Sequence, residues 1–171
     1  MKKLFAMILA AILTLSTAAF AATYRYDDDD IVFNYDENIF EIEEDDHTDD
    51  EDSIVLATKD DYLGQTYVRI YLRDLEDGEK FPTAAEFTPL ADVEVTQGEW
   101  NGYKDVFMYT IEDEDGTSDN FFIVPIYDDD GEIDDILTVD IGGPVIDDED
   151  AATESSDLTS EVVDTLRIID D

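Results

Sequence analysis

Carboxylates come in clumps along this chain, and short runs of Val, Ile, Phe and Tyr lie between them. The clumps are residues 27–30, nine acids between Glu41 and Asp52, and residues 112–115, 128–130 and 147–150. Short β-branched and aromatic runs bounded by acids and glycines read as strands joined by acidic turns. So charged a chain stays disordered unless it can bury apolar surface. Here nine Phe, nine Tyr and one Trp supply that surface, so a folded body is expected despite 48 acids, nine Lys and Arg, and a net charge of −39.

The first 21 residues read as a secretory signal peptide. Lys2 and Lys3 precede an apolar run over residues 4–15, and Ala19-Phe20-Ala21 has the small-x-small form of a cleavage site before Ala22. An apolar run this short spans roughly 18 Å of helix, well under the roughly 30 Å hydrocarbon core, which argues against a membrane anchor. Residues 22–171 are then expected to form one domain, secreted or periplasmic, with no membrane insertion after cleavage. Loss of Lys2 and Lys3 leaves seven cations against 48 acids, a charge of −41. The chain has no cysteine. Stability therefore rests on burial rather than disulfides, and an N-terminal lipid, which needs a cysteine at the cleavage point, is excluded.

This charge repels nucleic acid and anionic headgroups, whose binding requires Lys or Arg to displace counterions. It attracts calcium and cationic proteins, peptides or polymers. The bland alternative is that the charge only keeps an exported domain soluble.

Residues 31–35 and 39–42 read as two strands around the turn Asp36-Glu37-Asn38. Residues 53–58 and 66–73 read as the next pair, with Val68, Ile70 and Leu72 on the core face and Tyr67, Arg69, Tyr71 and Arg73 on the other. A short helix is expected over residues 81–89, with Pro82 early and Pro89 closing it. Residues 93–100 and 103–111 should form a hairpin through Asn101-Gly102, the strongest turn dipeptide present. A further meander is expected from residues 120–127 to 133–141, with Pro125 marking an edge or a bulge. Near the end, Ser155 and Ser156 offer N-cap oxygens to an amphipathic helix carrying Leu158, Val162, Val163 and Leu166, followed by a short extended Ile168-Ile169.

This order of elements resembles the PsbP-like superfamily. The resemblance is carried by IVFNYDENIFEI, QTYVRIYLRDL, GEWNGYKDVFMYTI, FFIVPIYDDDGEIDDILTVDI and the closing SEVVDTLRII. It implies an α+β fold, an antiparallel β-sheet meander packed between helices as an α/β/α sandwich, in proteins that mostly bind or assemble rather than catalyse. No site of that family maps residue by residue onto this chain.

Three groups of residues carry chemistry worth weighing. Asp128-Asp129-Asp130-Gly131-Glu132-Ile133-Asp134 partly matches a calcium loop, but Ile126 and Leu137 fall where its essential acidic ends belong. Asp113-Glu114-Asp115-Gly116 fails in the same way, with Ile111 at the first position. Weak calcium binding through Asp113, Asp115, Asp128, Asp130 and Asp134 competes with plain turns, which explain both sequences without an ion. His47, the single histidine, sits among carboxylates that favour its charged form, and one His without Cys makes no ordinary zinc site. Tyr67, Arg69, Tyr71 and Arg73 offer two guanidinium forks beside two rings, suited to a carboxylate or peptide, unless the arginines offset acids on neighbouring strands.

No serine lies in a G-x-S-x-G turn, and acids this numerous make any carboxylate pair uninformative. The expectation is an exported, non-enzymatic binding or accessory domain without a cofactor. The alternatives are an inhibitor or sequestering protein for a cationic enzyme or peptide, and a small carboxylate-dependent hydrolase. Crowded carboxylates are also expected to have raised pKa values, so that acid or salt stabilises the compact state.

Overall fold

The computed structural model describes residues 22–25, 31–48, 51–59, 66–76, 78–83, 86, 93–112, 117–144 and 149–169. Its strands are β1 (Ala22–Arg25), β2 (Ile31–Tyr35), β3 (Phe40–His47), β4 (Glu51–Thr58), β5 (Tyr67–Asp74), β6 (Thr96–Trp100), β7 (Tyr103–Glu112), β8 (Thr117–Tyr127) and β9 (Ile133–Pro144). Helix α1 (Glu149–Thr165) and the short β10 (Arg167–Ile168) follow. The fold is α+β, mostly antiparallel sheet with a C-terminal helix.

Seven strands form one antiparallel sheet in the order β3-β4-β5-β9-β8-β7-β6. It is two meanders joined through β5 and β9, not the single meander expected. The connection over residues 75–95 is long enough to carry the chain past the sheet, so β6 takes the far edge while β9 returns beside β5. Period-two alternation puts Ile54, Leu56, Val68, Ile70, Leu72, Leu137, Val139, Val124 and Val106 on one face, all buried. Ile31 and Phe33 of β2, Val162 and Val163 of α1 and Leu166 just after it close over them in the main core. Each such side chain fully buried contributes roughly 1.5–3 kcal/mol.

The expected pairing of residues 31–35 with 39–42 does not occur. β2 pairs instead with β1 and β10 in a separate three-stranded sheet, while β3 edges the large one. The turn between them is real: the Asp36 carboxylate accepts from both the backbone and the side-chain amide of Asn38 (2.9 and 2.8 Å), and the Asp36 carbonyl accepts from the amides of Ile39 and Phe40. It redirects the chain from one sheet to the other. Glu43, Glu44, Asp45 and Asp46 likewise are not in a turn, because β3 runs through them to His47 and pairs with β4. Charge on an edge strand, with a bulge between Ile42 and Glu44, blocks edge-to-edge association.

The helix expected over residues 81–89 is not seen where it is described: residues 81–83 are irregular and Glu86 is in a turn. The remaining residues of that stretch lie outside the described set. Leu75, Phe81 and Val95 of this connection cover a second cluster on the opposite sheet face, Phe107, Ile123 and Ile136, with Phe81 stacked on Phe107 at 5.5 Å. Ser155 and Ser156 are not caps, since α1 begins six residues earlier at Glu149, and Asp150 in its first turn suits the positive end of the helix. Ser155 is buried instead, its hydroxyl 2.5 Å from that of Thr66.

Pro125 lies on a locally unpaired edge of an interior strand, and the bulge falls beyond it, between Ile126 and Tyr127. The β7–β8 ladder stops at Phe107 opposite Ile123, so the missing N–H at Pro125 costs no β7 bond, and the register with β9 shifts one residue later.

Candidate functional site

Tyr67, Arg69, Tyr71 and Arg73 share one face of β5, as alternation requires, and each makes its polar contact within the chain. The Tyr67 hydroxyl donates to Asp119 Oδ1 (2.8 Å), Arg69 Nη1 to Asp140 Oδ2 (3.1 Å) and the Tyr71 hydroxyl to Glu51 Oε2 (2.6 Å). Arg73 forms a two-pronged pair with Glu79 at 2.9 and 2.6 Å. The Arg69 guanidinium also lies 5.2 Å from the centre of the Tyr67 ring. Three of these acids sit on strands of the same sheet, as cross-strand charge pairing favours.

The sequence reading missed the centre of this group, Asp140. It faces Arg69 directly across the β5–β9 ladder, and its residue is only 2% exposed. One carboxylate oxygen takes the Arg69 bond, and Oδ1 is buried without a hydrogen-bond partner. Burial, reinforced by the nearby charge of Asp119, pushes its pKa up to about 6, although Arg69 and the Tyr67 hydroxyl pull the other way. The Tyr67 hydroxyl is itself held well above the usual phenol range, by burial first and then by its bond to Asp119. A raised carboxylate was expected from crowding in the acidic clumps. Asp140 is raised chiefly by burial inside a strand. The sequence signal available was a lone acid in the apolar run ILTVDIGG.

Gly142 makes this arrangement possible. A Cβ there would collide with Asp119 Oδ1 and stand 2.5 Å from the Tyr67 hydroxyl oxygen. Gly142→Ala should therefore break the Tyr67–Asp119 bond and cost roughly 1–2 kcal/mol in urea unfolding. An unchanged midpoint would show that the bond contributes nothing.

Acid density is greatest on β3, where Glu41, Glu43, Glu44, Asp45 and Asp46 are all exposed. His47 ends that strand, with its ring nitrogens 3.2 Å from Asp45 and 3.2 Å from Asp52. Asp128 opens the β8–β9 turn and Asp130 lies within it, and the Asp128 carboxylate accepts from the Glu132 amide at 2.8 Å, as a turn residue does. Asp134 lies on β9, and Asp113 and Asp115 fall outside the described residues. Among the described residues no three His, Cys, Asp or Glu side chains converge to hold a metal ion.

Among the described residues no helix is long and apolar enough to cross a membrane. No family model matches the chain, and neither a curated protein nor a solved structure does.

Proposed function

We propose that the chain is an exported, non-enzymatic binding or accessory module of the PsbP-like kind, whose partner is a cationic protein or peptide. The observation that carries this reading is the exposed acidic edge of β3, five carboxylates on one strand of a chain with net charge −39. Such an edge steers a cationic partner toward it and repels nucleic acid. A large antiparallel sheet with α1 over one face and Leu75, Phe81 and Val95 over the other supports the PsbP-like reading. The arginines of β5 are held by acids of the chain itself, which favours the acidic edge over that face as the contact surface.

Use as an inhibitor or sequestering protein would engage the same surface, and loss of activity in a cationic enzyme on mixing would reveal it. The hydrolase alternative is weakened by the enclosure of Asp140, the carboxylate whose raised pKa would suit an acid catalyst.

A lysine-rich peptide titrated into the purified protein should bind saturably, with affinity falling steeply as salt rises. Glu43→Lys combined with Asp46→Lys should weaken it by about tenfold. Equal binding by this variant would remove β3 from the interface.

A further inference from the structure

A cleft of about 430 Å³ opens where α1 lies against β2 and the first residue of β3. Its apolar lining comes from Phe40, Leu158 and Val162, and Asp36, Glu161 and Asp164 complete the wall. Glu161 and Asp164 are exposed on consecutive turns of α1. The cleft is large enough for side chains of a ligand, being within the usual range of small-ligand pockets. Its walls are fixed relative to one another: the Asn34 amide of β2 donates to Thr165 Oγ1 of α1 at 2.8 Å, and that hydroxyl donates back to the Val162 carbonyl.

Lys59 and Arg167 do not neutralise the acids of the cleft. Lys59 donates to the Glu37 carbonyl, and Arg167 to backbone carbonyls of Asp164 and Leu166 and to the Asn101 side chain. Among the described residues no Lys, Arg or His forms an ion pair with Asp36, Glu161 or Asp164. An apolar cavity ringed by carboxylates complements a ligand with an apolar body and a positive charge close beside it. It disfavours an anionic or purely aliphatic guest, because the first is repelled and the second leaves the charge of the rim unanswered.

We propose that this cleft is an anchoring site for an amphipathic cationic peptide: one apolar side chain enters between Phe40 and Leu158, and neighbouring Lys or Arg residues meet Asp36, Glu161 and Asp164. This deepens the reading of an acidic binding module and rests on it. The cleft begins at Phe40, where β3 begins, so the acidic edge runs on directly from the anchor. Long-range attraction is then supplied by the edge, and selectivity for an apolar residue by the cleft.

Calorimetric titration of the purified protein in about 0.15 M salt, where the screening length is roughly 8 Å, compares two synthetic peptides of equal charge, one alternating Leu and Lys and one with Ser in place of every Leu. The Leu-containing peptide should bind at least about tenfold tighter. Leu158→Gln should erase most of that difference and leave the Ser peptide unchanged. Glu161→Gln combined with Asp164→Asn, both at exposed helix positions, should weaken the Leu peptide about fivefold while the melting temperature holds. Equal binding of the two peptides, or a Leu peptide indifferent to both variants, overturns the cleft and leaves the acidic module standing. Binding of neither peptide overturns both.

Discussion

Asp140→Asn should stabilise the folded protein at neutral pH by roughly 2–3 kcal/mol and have almost no effect near pH 4. The carboxyl of Asp140 ionises at about 6 in the folded chain against an ordinary 3.8. Between those values the folded state holds a proton that the unfolded state has lost. Stability therefore falls as pH rises through the window from about 4 to 6, and the deficit persists above it. At 1.36 kcal/mol for each unit of difference, the ionised group withholds roughly 3 kcal/mol at pH 7. Asparagine has nearly the same shape and no charge to desolvate, and Arg69, whose side chain is 49% exposed, can turn to water. Every other carboxylate is common to both proteins, so the difference between their urea midpoints, measured from pH 4 to pH 8, isolates this group. A difference that does not change with pH would show that Asp140 is not the titrating residue.

What was legible in the sequence was whatever depends on neighbours along the chain. Alternation in YVRIYLRD assigned both faces of β5 correctly, with Val68, Ile70 and Leu72 buried and the Tyr and Arg side chains opposite. Asn101-Gly102 turned the β6–β7 hairpin as expected, both residues having the positive φ such a turn demands (49° and 89°). Trp100 beside it packs, stacked on Phe122 at 4.5 Å.

What could not be read were the choices made by tertiary contact. β2 is a good strand by its residues, but nothing local says that its partners are β1 and β10 rather than β3. The pairing of β5 with β9 joins residues some 70 positions apart, and Asp140 acquires its chemistry only from that register. The buried stripe runs from Leu166, just past α1, back through Val162, Thr159 and Ser155 to Ala151 within it. Its N-terminal half is small or hydroxylated, so it carries no hydrophobic signal, and the helix was expected to start too late. Lone polar residues in apolar strands, Asp140 above all, were the informative exceptions.

Asn101 shows how a residue recognised for one role can have a second, larger one. Its side-chain amide donates to the carbonyls of Val163 (2.7 Å) and Leu166 (3.0 Å), and its Oδ1 accepts from Arg167 at 3.0 Å. The last carbonyls of a helix have no partner within it, so the hairpin turn acts as the cap that closes α1. Tyr103, on the far side of the same turn, accepts from the Ile168 amide at 2.9 Å and holds the chain as it enters β10. Asn101→Gly keeps the backbone conformation but loses both donated bonds, and at about 1 kcal/mol each should cost roughly 2 kcal/mol. Asn101→Ala loses the same bonds and must also hold a Cβ at positive φ, which adds about 1 kcal/mol. Asn101→Asp tolerates the turn and still accepts from Arg167, but sets a negative charge against the negative end of α1, so it should fall below the glycine variant. Urea unfolding should rank the wild type above Gly, and Gly above both Ala and Asp, with faster amide exchange at Leu166 and Ile168 in all three variants. Were the glycine variant as stable as the wild type, the side chain would serve the turn alone, and α1 would owe its closure to Arg167.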